Sequence, residues 1–389
     1  ARGFVPLPVL LDHDAGATLA LGGMHKATIT VTRGREAFVS QHIGELDNLE
    51  TQQNLTEVTG HLTRLLRVTP DLVVCDLHPD YCSTRLARET GKQRNIPVVA
   101  VQHHHAHAVA CMAEHSLAGP TIALTLDGSG FGPDGSIWGG EILLAERSRF
   151  QRLAHLEQLP LPGGETAARE PWRMAVSCLH HLFGDSIMEL PLPLVKNCAA
   201  DIPLLVAMIQ KKINSPATSS CGRIFDAVAA LTGLCLKMSF EGQAAMALEL
   251  AMDRTAKGCY DHAVHETADG PWLLKTSGII RGVVEDCVSG VAIAVISAKF
   301  HRAMALLFCD ACLRLARLHG LRNIVCSGGV FQNAPFADMV QKRLTADGRK
   351  VFLHEQLPAN DGCLSLGQAV AGRAMCRRVT QEAHCKVLG

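Results

Sequence analysis

Residues 101–107 read Val-Gln-His-His-His-Ala-His. His103 and His107 are four apart, so a helix starting here projects both imidazoles from one face, where they can close on a single metal ion. The pair directly follows an apolar run, Ile96-Pro-Val-Val-Ala-Val101, and open α/β sheets place their sites at strand ends. His104 and His105 point elsewhere on such a helix and read as supporting or substrate contacts. Two carboxylates extend the donor set: Asp127 ends the apolar run Ile122–Leu126, and Asp361, in Pro358-Ala-Asn-Asp-Gly362, follows a strand and opens a helix. For Asp361 a helix-capping carboxylate is an equally good local reading. Two imidazoles with one or two carboxylates suit Fe(II), Mn(II) or Zn(II).

Three glycine segments could hold nucleotide phosphate with backbone N–H groups: Gly22-Gly23, the turn Asp127-Gly-Ser-Gly-Phe-Gly132, and Ser327-Gly-Gly-Val330. None has Rossmann spacing, and the chain contains no Gly-x-x-x-x-Gly-Lys-Ser/Thr loop. It contains no His-Glu-x-x-His either, which disfavours a metalloprotease.

The elements that must position these residues follow a pattern that occurs twice. Three short β-prone runs, 17–23, 27–32 and 37–41, read as an antiparallel meander. A helix over 49–66, a strand over 71–75, a helix near 84–90 and the strand leading into the histidines follow. From Thr121 the meander restarts as strands over 121–126, 136–145 and 150–156. A long, mostly helical region leads to a strand over 323–326, a Gly-Gly turn, a helix, and a strand over 350–354. The expected fold is α/β: two similar lobes of the actin, sugar-kinase and heat-shock ATPase type with an interlobe cleft. Residues 1–120 form the first lobe, rejoined by a C-terminal helix over 363–389. Residues 121–362 form the second lobe with helical insertions.

At 389 residues, 48% hydrophobic and 19% charged, the chain can bury a large core. Its formal net charge of zero disfavours nucleic acid and anionic membrane as partners. No apolar run approaches the eighteen or so residues of a membrane span. Fifteen cysteines without framework spacing read as reduced thiols in a cytoplasmic protein. Cys309-x-x-Cys312 lies inside the helical run 303–318 without a second pair, so it reads as packing rather than as a redox or zinc motif. The chain opens Ala-Arg-Gly and runs through a proline-punctuated extended segment, Val5–Leu11, as a piece of something longer would.

Seven ordered segments carry a family resemblance: Val101–His107, Leu126–Gly132, Arg169–Ala175, Gly222–Ala229, Ser239–Ala245, Ser327–Asn333 and Pro358–Gly362. They resemble the C-terminal catalytic region of the HypF carbamoyltransferase family of nickel–iron hydrogenase maturation. That region is similar to the tRNA threonylcarbamoyl-transferase subunit TsaD and the antibiotic O-carbamoyltransferase TobZ. The TsaD group has Asn before the first histidine and Cys-Val-Gly between the pair. Gln102 and His104-His105-Ala106 fit HypF instead.

The resemblance implies one divalent metal, iron or zinc, held by His103, His107 and Asp361, with Asp127 a further ligand. It implies ATP or carbamoyl-adenylate with Gly128, Ser129 and Gly130 against phosphate, and Asp226, Gly242, Gly328, Gly329 and Asn333 around ribose and adenine. It further implies transfer of a carbamoyl group from carbamoyl-adenylate, made by a YrdC-like domain not recognisable here, to the C-terminal cysteine of a partner, HypE. The rival reading is an ATP-dependent docking or regulatory module without its own transfer activity. Arg169, Arg173 and Arg223 are candidate anion contacts.

Overall fold

Both meanders form, each at the heart of a mixed β-sheet. The computed structural model describes residues 7–388; residues 1–6, which include the start of the proline-punctuated opening, and residue 389 lie outside it. The first sheet contains β1 (Val9–Leu10), β2 (Thr18–Ala20), β3 (Thr30–Arg33), β4 (Glu36–Val39), β5 (Leu72–Asp76) and β6 (Val98–Val101), in the order β1-β4-β3-β2-β5-β6. The second draws on β7 (Thr121–Phe131), β8 (Ile137–Glu146), β9 (Arg149–Leu156), β10 (Leu159–Pro160), β11 (Ala217–Thr218), β12 (Ala263–His265), β13 (Trp272–Lys275), β14 (Asn323–Ser327) and β15 (Lys350–Phe352). Its main path runs β12-β13-β9-β8-β7-β14-β15.

The duplication is visible in these orders. In β4-β3-β2-β5-β6 three strands are antiparallel and two then add parallel to β2. The path β9-β8-β7-β14-β15 repeats that order with the same directions. This is the two-lobed α/β architecture expected from the sequence. Strand alternation gives each sheet two apolar faces. Leu72 and Val74 of β5 enter one core cluster while Val73 and Cys75 enter another.

Helices fill the remaining layers. Helices α1 (Leu49–Leu65) and α2 (Cys82–Arg94) cover the outer face of the first sheet. Helix α3 (His103–Glu114) follows β6. The second half contributes α4 (Glu165–Arg169), α5 (Pro171–Phe183), α6 (Pro193–Asn197), α7 (Ile202–Gln210), α8 (Cys221–Leu231), α9 (Gln243–Leu250), α10 (Ser277–Val288), α11 (Ile293–Leu318) and α12 (Ala334–Ala346), with α13 (Leu364–Leu388) after β15. Residues of α5, α8, α10, α11 and α12 share the outer core of the second sheet. Cys309 and Cys312 are buried there as free thiols.

Between the sheets lie α3 and α13, packed on each other and exchanged. Helix α3, from the first half, packs on β7, β8 and β14, whereas α13 packs on β2, β3, β5 and β6. The chain division at residue 120 therefore does not coincide with the packing division, because α3 sits on the second sheet. Their crossing is tight: a Cβ at Gly367 would stand 1.8 Å from the Ala106 carbonyl oxygen, so glycine is required. Every residue of α3 from His103 to Ala113 is buried, which fits a helix enclosed on all sides.

Two sequence expectations change. Residues 127–131 are not a turn but the bulged continuation of β7, with register shifting between Leu126 and Gly130; the hairpin turn falls at 132–136. The region after β9, read as mostly helical, also holds β10 to β13. These strands are two to four residues long, too short to show a period. Among the described residues no helix is long and apolar enough to cross a membrane.

Candidate metal and nucleotide site

The strand-to-helix step at Val101–His103 sets the site. Gln102 caps α3, its Oε1 accepting the His105 N–H at 2.9 Å. Its Nε2 then donates, to the Phe131 carbonyl at 3.1 Å and to His104 Nδ1 at 3.2 Å. With the first turn fixed, His103 and His107 stand together, ring centroids 5.1 Å apart. His105 departs to the side and places Nε2 2.7 Å from the Glu146 carbonyl; burial drops its pKa to about 4.

The two carboxylates arrive from the second half. Asp127 continues β7, and its Oδ2 lies 3.0 Å from His107 Nε2 and 3.5 Å from His103 Nε2. Asp361 Oδ1 lies 3.6 Å from His107 Nε2 and 3.7 Å from His103 Nε2. The cap reading of Asp361 goes to its neighbour: Asn360 Oδ1 accepts the Gly362 N–H at 3.0 Å, which leaves the Asp361 carboxylate for the cluster. One ligand atom from each of His103, His107, Asp127 and Asp361 lies within 4.8 Å of all the others.

The donor set fits a divalent cation. His103 Nδ1 donates to Asp76 Oδ2 at 2.9 Å, so its Nε2 is a lone pair, and that atom is buried without a hydrogen-bond partner while facing two carboxylates. A lone pair and two anions converging in a buried space need a cation between them. Without one, the protein substitutes protons. Burial lowers the pKa of both imidazoles, but Asp361 and Asp76 around His103, and Cys363 and Asp127 around His107, raise them further, well above the usual histidine range. Burial pushes Asp127 and Asp361 up, yet the net direction for both carboxylates is downward because the imidazoles oppose it.

The glycine segments meet the same point. Asp127 Oδ1 accepts the Gly128 N–H at 2.7 Å and the Gly329 N–H at 3.4 Å, tying the β14 turn to the ligand strand. Gly328 has φ +105°, and a Cβ there would stand 2.1 Å from the Leu126 carbonyl oxygen. Ser220, which caps α8, donates to the Gly128 carbonyl at 2.7 Å, and Gly222 packs directly on Gly128. Helix α8 therefore docks its N-terminus on the glycine strand. Ser129 is exposed between two less exposed glycines.

The other residues implied by the resemblance separate. Asp226 lies on α8, buried, with Arg223 Nη2 at 2.9 Å in a geometry that leaves Asp226 Oδ2 without a hydrogen bond; burial lifts its carboxyl to about 6. The Arg223 Nη2 atom reaches Gly128, whose Cβ would meet it at 3.5 Å. Arg173 is held by Glu170 at 2.6 Å. The Asn333 amide is occupied, Oδ1 capping α12 at the Phe336 N–H and Nδ2 bonding His301 Nε2 at 2.9 Å. Gly242 precedes α9 with φ +79°; beside it, Glu241 pairs with Lys26 of the first half at 2.5 Å.

Sequence reasoning missed Asp76, which ends β5 one residue beyond the strand read from the sequence and whose strand-end position was the available signal. It also missed Glu114, Ser327 Oγ, His354 and Cys363, which line the far side of His107. Glu114 lies seven residues after His107, on the same face of α3. Burial opposes charge on His354 and on Cys363, but each favours it on the other, so His354 is raised to about 9 and the Cys363 thiol lowered to about 6.

Fold and site together define a two-lobed α/β protein with a buried two-imidazole, two-carboxylate cluster, able to hold a cation, where its halves meet. The chain belongs to the HypF carbamoyltransferase family: residues 13–114 match the HypF Kae1-like domain, and residues 123–368 match the second subdomain of the carbamoyltransferase Kae1-like domain. It is 40% identical to carbamoyltransferase HypF2 of Cupriavidus necator over 95% of this chain and 48% of that protein, and 39% identical to carbamoyltransferase HypF of Rhizobium leguminosarum bv. viciae over 100% and 48%. The chain thus spans about half the length of these curated relatives. A HypF homolog of C. necator, 36% identical, is matched over 98% of both chains. Among solved structures, full-length HypF in its phosphate- and nucleotide-bound form superposes with a TM-score of 0.90 at 36% identity, covering 96% of this chain and 58% of that one. HypF of T. kodakarensis gives 0.86 at 31% identity, covering 96% and 49%.

Proposed function

We propose that this chain transfers a carbamoyl group from carbamoyl-adenylate to the C-terminal cysteine thiolate of HypE, in the route to the cyanide ligands of nickel–iron hydrogenase. The observation that carries the reading is the buried set His103, His107, Asp127 and Asp361, joined through Asp127 to the glycines of β7 and β14. A full-length HypF relative has been solved in a phosphate- and nucleotide-bound form, which supports a nucleotide as ligand in this family. A divalent ion held by the four ligands would polarise the carbamoyl oxygen and offset charge on the departing phosphate.

The chain's own groups orient the reactants. The backbone N–H groups of Gly128 and Gly329 anchor Asp127, Arg223 supplies a cation beside Gly128 for phosphate, and Asp226 stands ready for ribose. The acceptor sulfur forms a bond to the carbamoyl carbon, the bond from that carbon to the phosphate oxygen breaks, and AMP leaves with the electron pair. The thiol proton is lost to solvent beforehand, so no side chain here is needed as a base, and the nucleophile is the acceptor's own sulfur.

The test mixes the purified, metal-loaded chain with carbamoyl-adenylate and HypE and looks by mass spectrometry for one carbamoyl group on the HypE C-terminal cysteine. The adduct is expected with the wild type and absent with His103→Ala. No adduct from folded, metal-bound protein would overturn the reading and favour a nucleotide-gated docking module.

A further inference from the structure

Gly22-Gly23, unlike the other two glycine segments, makes no hydrogen bond to Asp127. The Gly22 peptide is held instead by α13, where the Gln368 side-chain amide accepts its N–H at 2.8 Å and donates to its carbonyl at 3.0 Å. This brings the chain after β2 against the other carboxylate of the cluster: a Cβ at Gly23 would meet Asp361 Oδ2 at 3.5 Å. The bend that follows ends at Lys26, whose φ of +44° is a left-handed conformation uncommon for a residue with a side chain. Glu45 pins it there, Oε1 accepting the Lys26 N–H at 3.0 Å and Oε2 pairing with His25 Nδ1 at 2.5 Å.

The Lys26 ammonium consequently stands between the halves, beside the metal cluster. Its Nζ lies 2.5 Å from Glu241 Oε2 of the second half. Its side chain lines a cavity of about 400 Å³ whose wall includes Asn360 and Gly362, the two neighbours of Asp361.

The acceptor under Proposed function is a cysteine at a chain end, which carries a carboxylate on the same residue as its sulfur. A site that admits this thiolate must admit a second negative charge close by, near Asp127, Asp361 and an adenylate phosphate. Without a cation that carboxylate would be repelled. The cations around the site differ in their partners. Arg223 stands at Gly128 with buried Asp226, and Arg173 is paired with half-buried Glu170. His25 is tied to Glu45, which the Lys26 N–H also holds. The partner of the Lys26 ammonium is different, because Glu241 is 59% exposed. Exposed ion pairs contribute little, so returning Glu241 to water costs little.

We propose that Lys26 determines acceptor specificity: its ammonium leaves Glu241 and binds the α-carboxylate of the acceptor's terminal cysteine, bringing the sulfur to the carbamoyl group. The proposal rests on the reading of the acceptor as a C-terminal cysteine. An internal cysteine, or one followed by a further residue, offers an uncharged amide in the same place and forms no ion pair.

Two measurements on the whole chain test this. The first compares two acceptors that differ only at that group, HypE with its own C-terminal carboxylate and HypE completed by ligation to a synthetic peptide ending in cysteine amide. Wild type should carbamoylate the acid with a kcat/KM roughly tenfold above the amide, the worth of a charge-assisted hydrogen bond. In Lys26→Met the ratio should fall to about one. Glu241→Gln breaks the same ion pair from its other end but keeps the ammonium, so it should retain the preference. A ratio near unity in wild type would overturn the proposal. So would an equal loss in both variants, which would make the ion pair between the halves the cause. The second measurement reads binding without transfer, by fluorescence anisotropy of labelled HypE C-terminal peptides whose cysteine is S-methylated. The acid form should bind wild type about tenfold more tightly than the amide, and Lys26→Met should bind the two alike. No transfer to either form of HypE would defeat the carbamoyl-transfer reading, while the peptide comparison would still decide the role of Lys26.

Discussion

Replacing Gly130 by alanine should damage the metal site through packing alone. Gly130 lies in β7 opposite Trp138, and its φ is not positive, so the glycine is not needed for backbone conformation. It is needed for space. A Cβ there would stand 2.5 Å from His104 Cε1 and 2.9 Å from His103 Cδ2. Ordinary contact begins near 3.4 Å, so the shortfall is about 0.9 Å at His104 and about 0.5 Å at His103. Neither ring can yield freely, since His104 is held by Gln102 and His103 by Asp76.

Metal sites tolerate roughly 0.2 Å in ligand distance, so even half of the His103 shift would misplace a ligand. Overpacking of this kind costs about 1–3 kcal/mol. The expected result is a Gly130→Ala variant that folds with reduced stability in urea and binds zinc at least about tenfold more weakly in a chelator competition. Gly128→Ala is the control, because its Cβ meets only Arg223 Nη2, at 3.5 Å, and metal affinity should be unchanged. Equal zinc affinity in Gly130→Ala and wild type would show that His103 is not where the packing puts it, or not a ligand.

Asp226→Asn should stabilise the nucleotide-free fold at pH 7. Burial lifts the carboxyl to about 6 from 3.8 in the unfolded chain, so stability falls as pH rises through that window. The variant should gain on the order of 1–3 kcal/mol at pH 7 and nothing at pH 3.5, which urea unfolding at the two pH values can check; a less stable variant at pH 7 would reject it. Glu141→Ala should be strongly destabilising, by about 3–5 kcal/mol, because Glu141 is fully buried and pairs with Arg152 Nε and Ser219 Oγ, each at 2.6 Å; equilibrium unfolding reads the loss directly. Native-state thiol labelling should modify exposed Cys259 quickly and spare Cys309 and Cys312 until unfolding, which peptide mapping by mass spectrometry would show.

Much of this molecule was legible in its sequence where one local rule sufficed. The apolar runs at 71–75 and 121–126 announce strands, and the spacing of His103 and His107 places two imidazoles together once Gln102 starts the helix. What stayed hidden depends on residues far apart in the chain. The role of Asp361 could not be separated from capping until Asn360 was seen to take the cap. The hydrogen-bonded side chains behind His107 come from positions 114, 327 and 354, each unremarkable alone. Asn333 sits in a glycine-rich motif, yet its amide is used by α12 and His301, a partner 32 residues earlier in the chain.

The exchange of α3 and α13 has a consequence for how the chain is made. The inner face of the first sheet, with Leu72 and Val74, is covered by residues such as Leu366, Ala369 and Val370 of α13. During synthesis that face is complete long before its cover leaves the ribosome. It must wait, partly solvated or guarded by a chaperone, through more than two hundred further residues, at roughly 5–20 residues per second. Loss of the final helix would therefore expose an early-formed apolar sheet rather than trim a finished end, and nascent chains stalled before residue 364 should be the species most prone to aggregate.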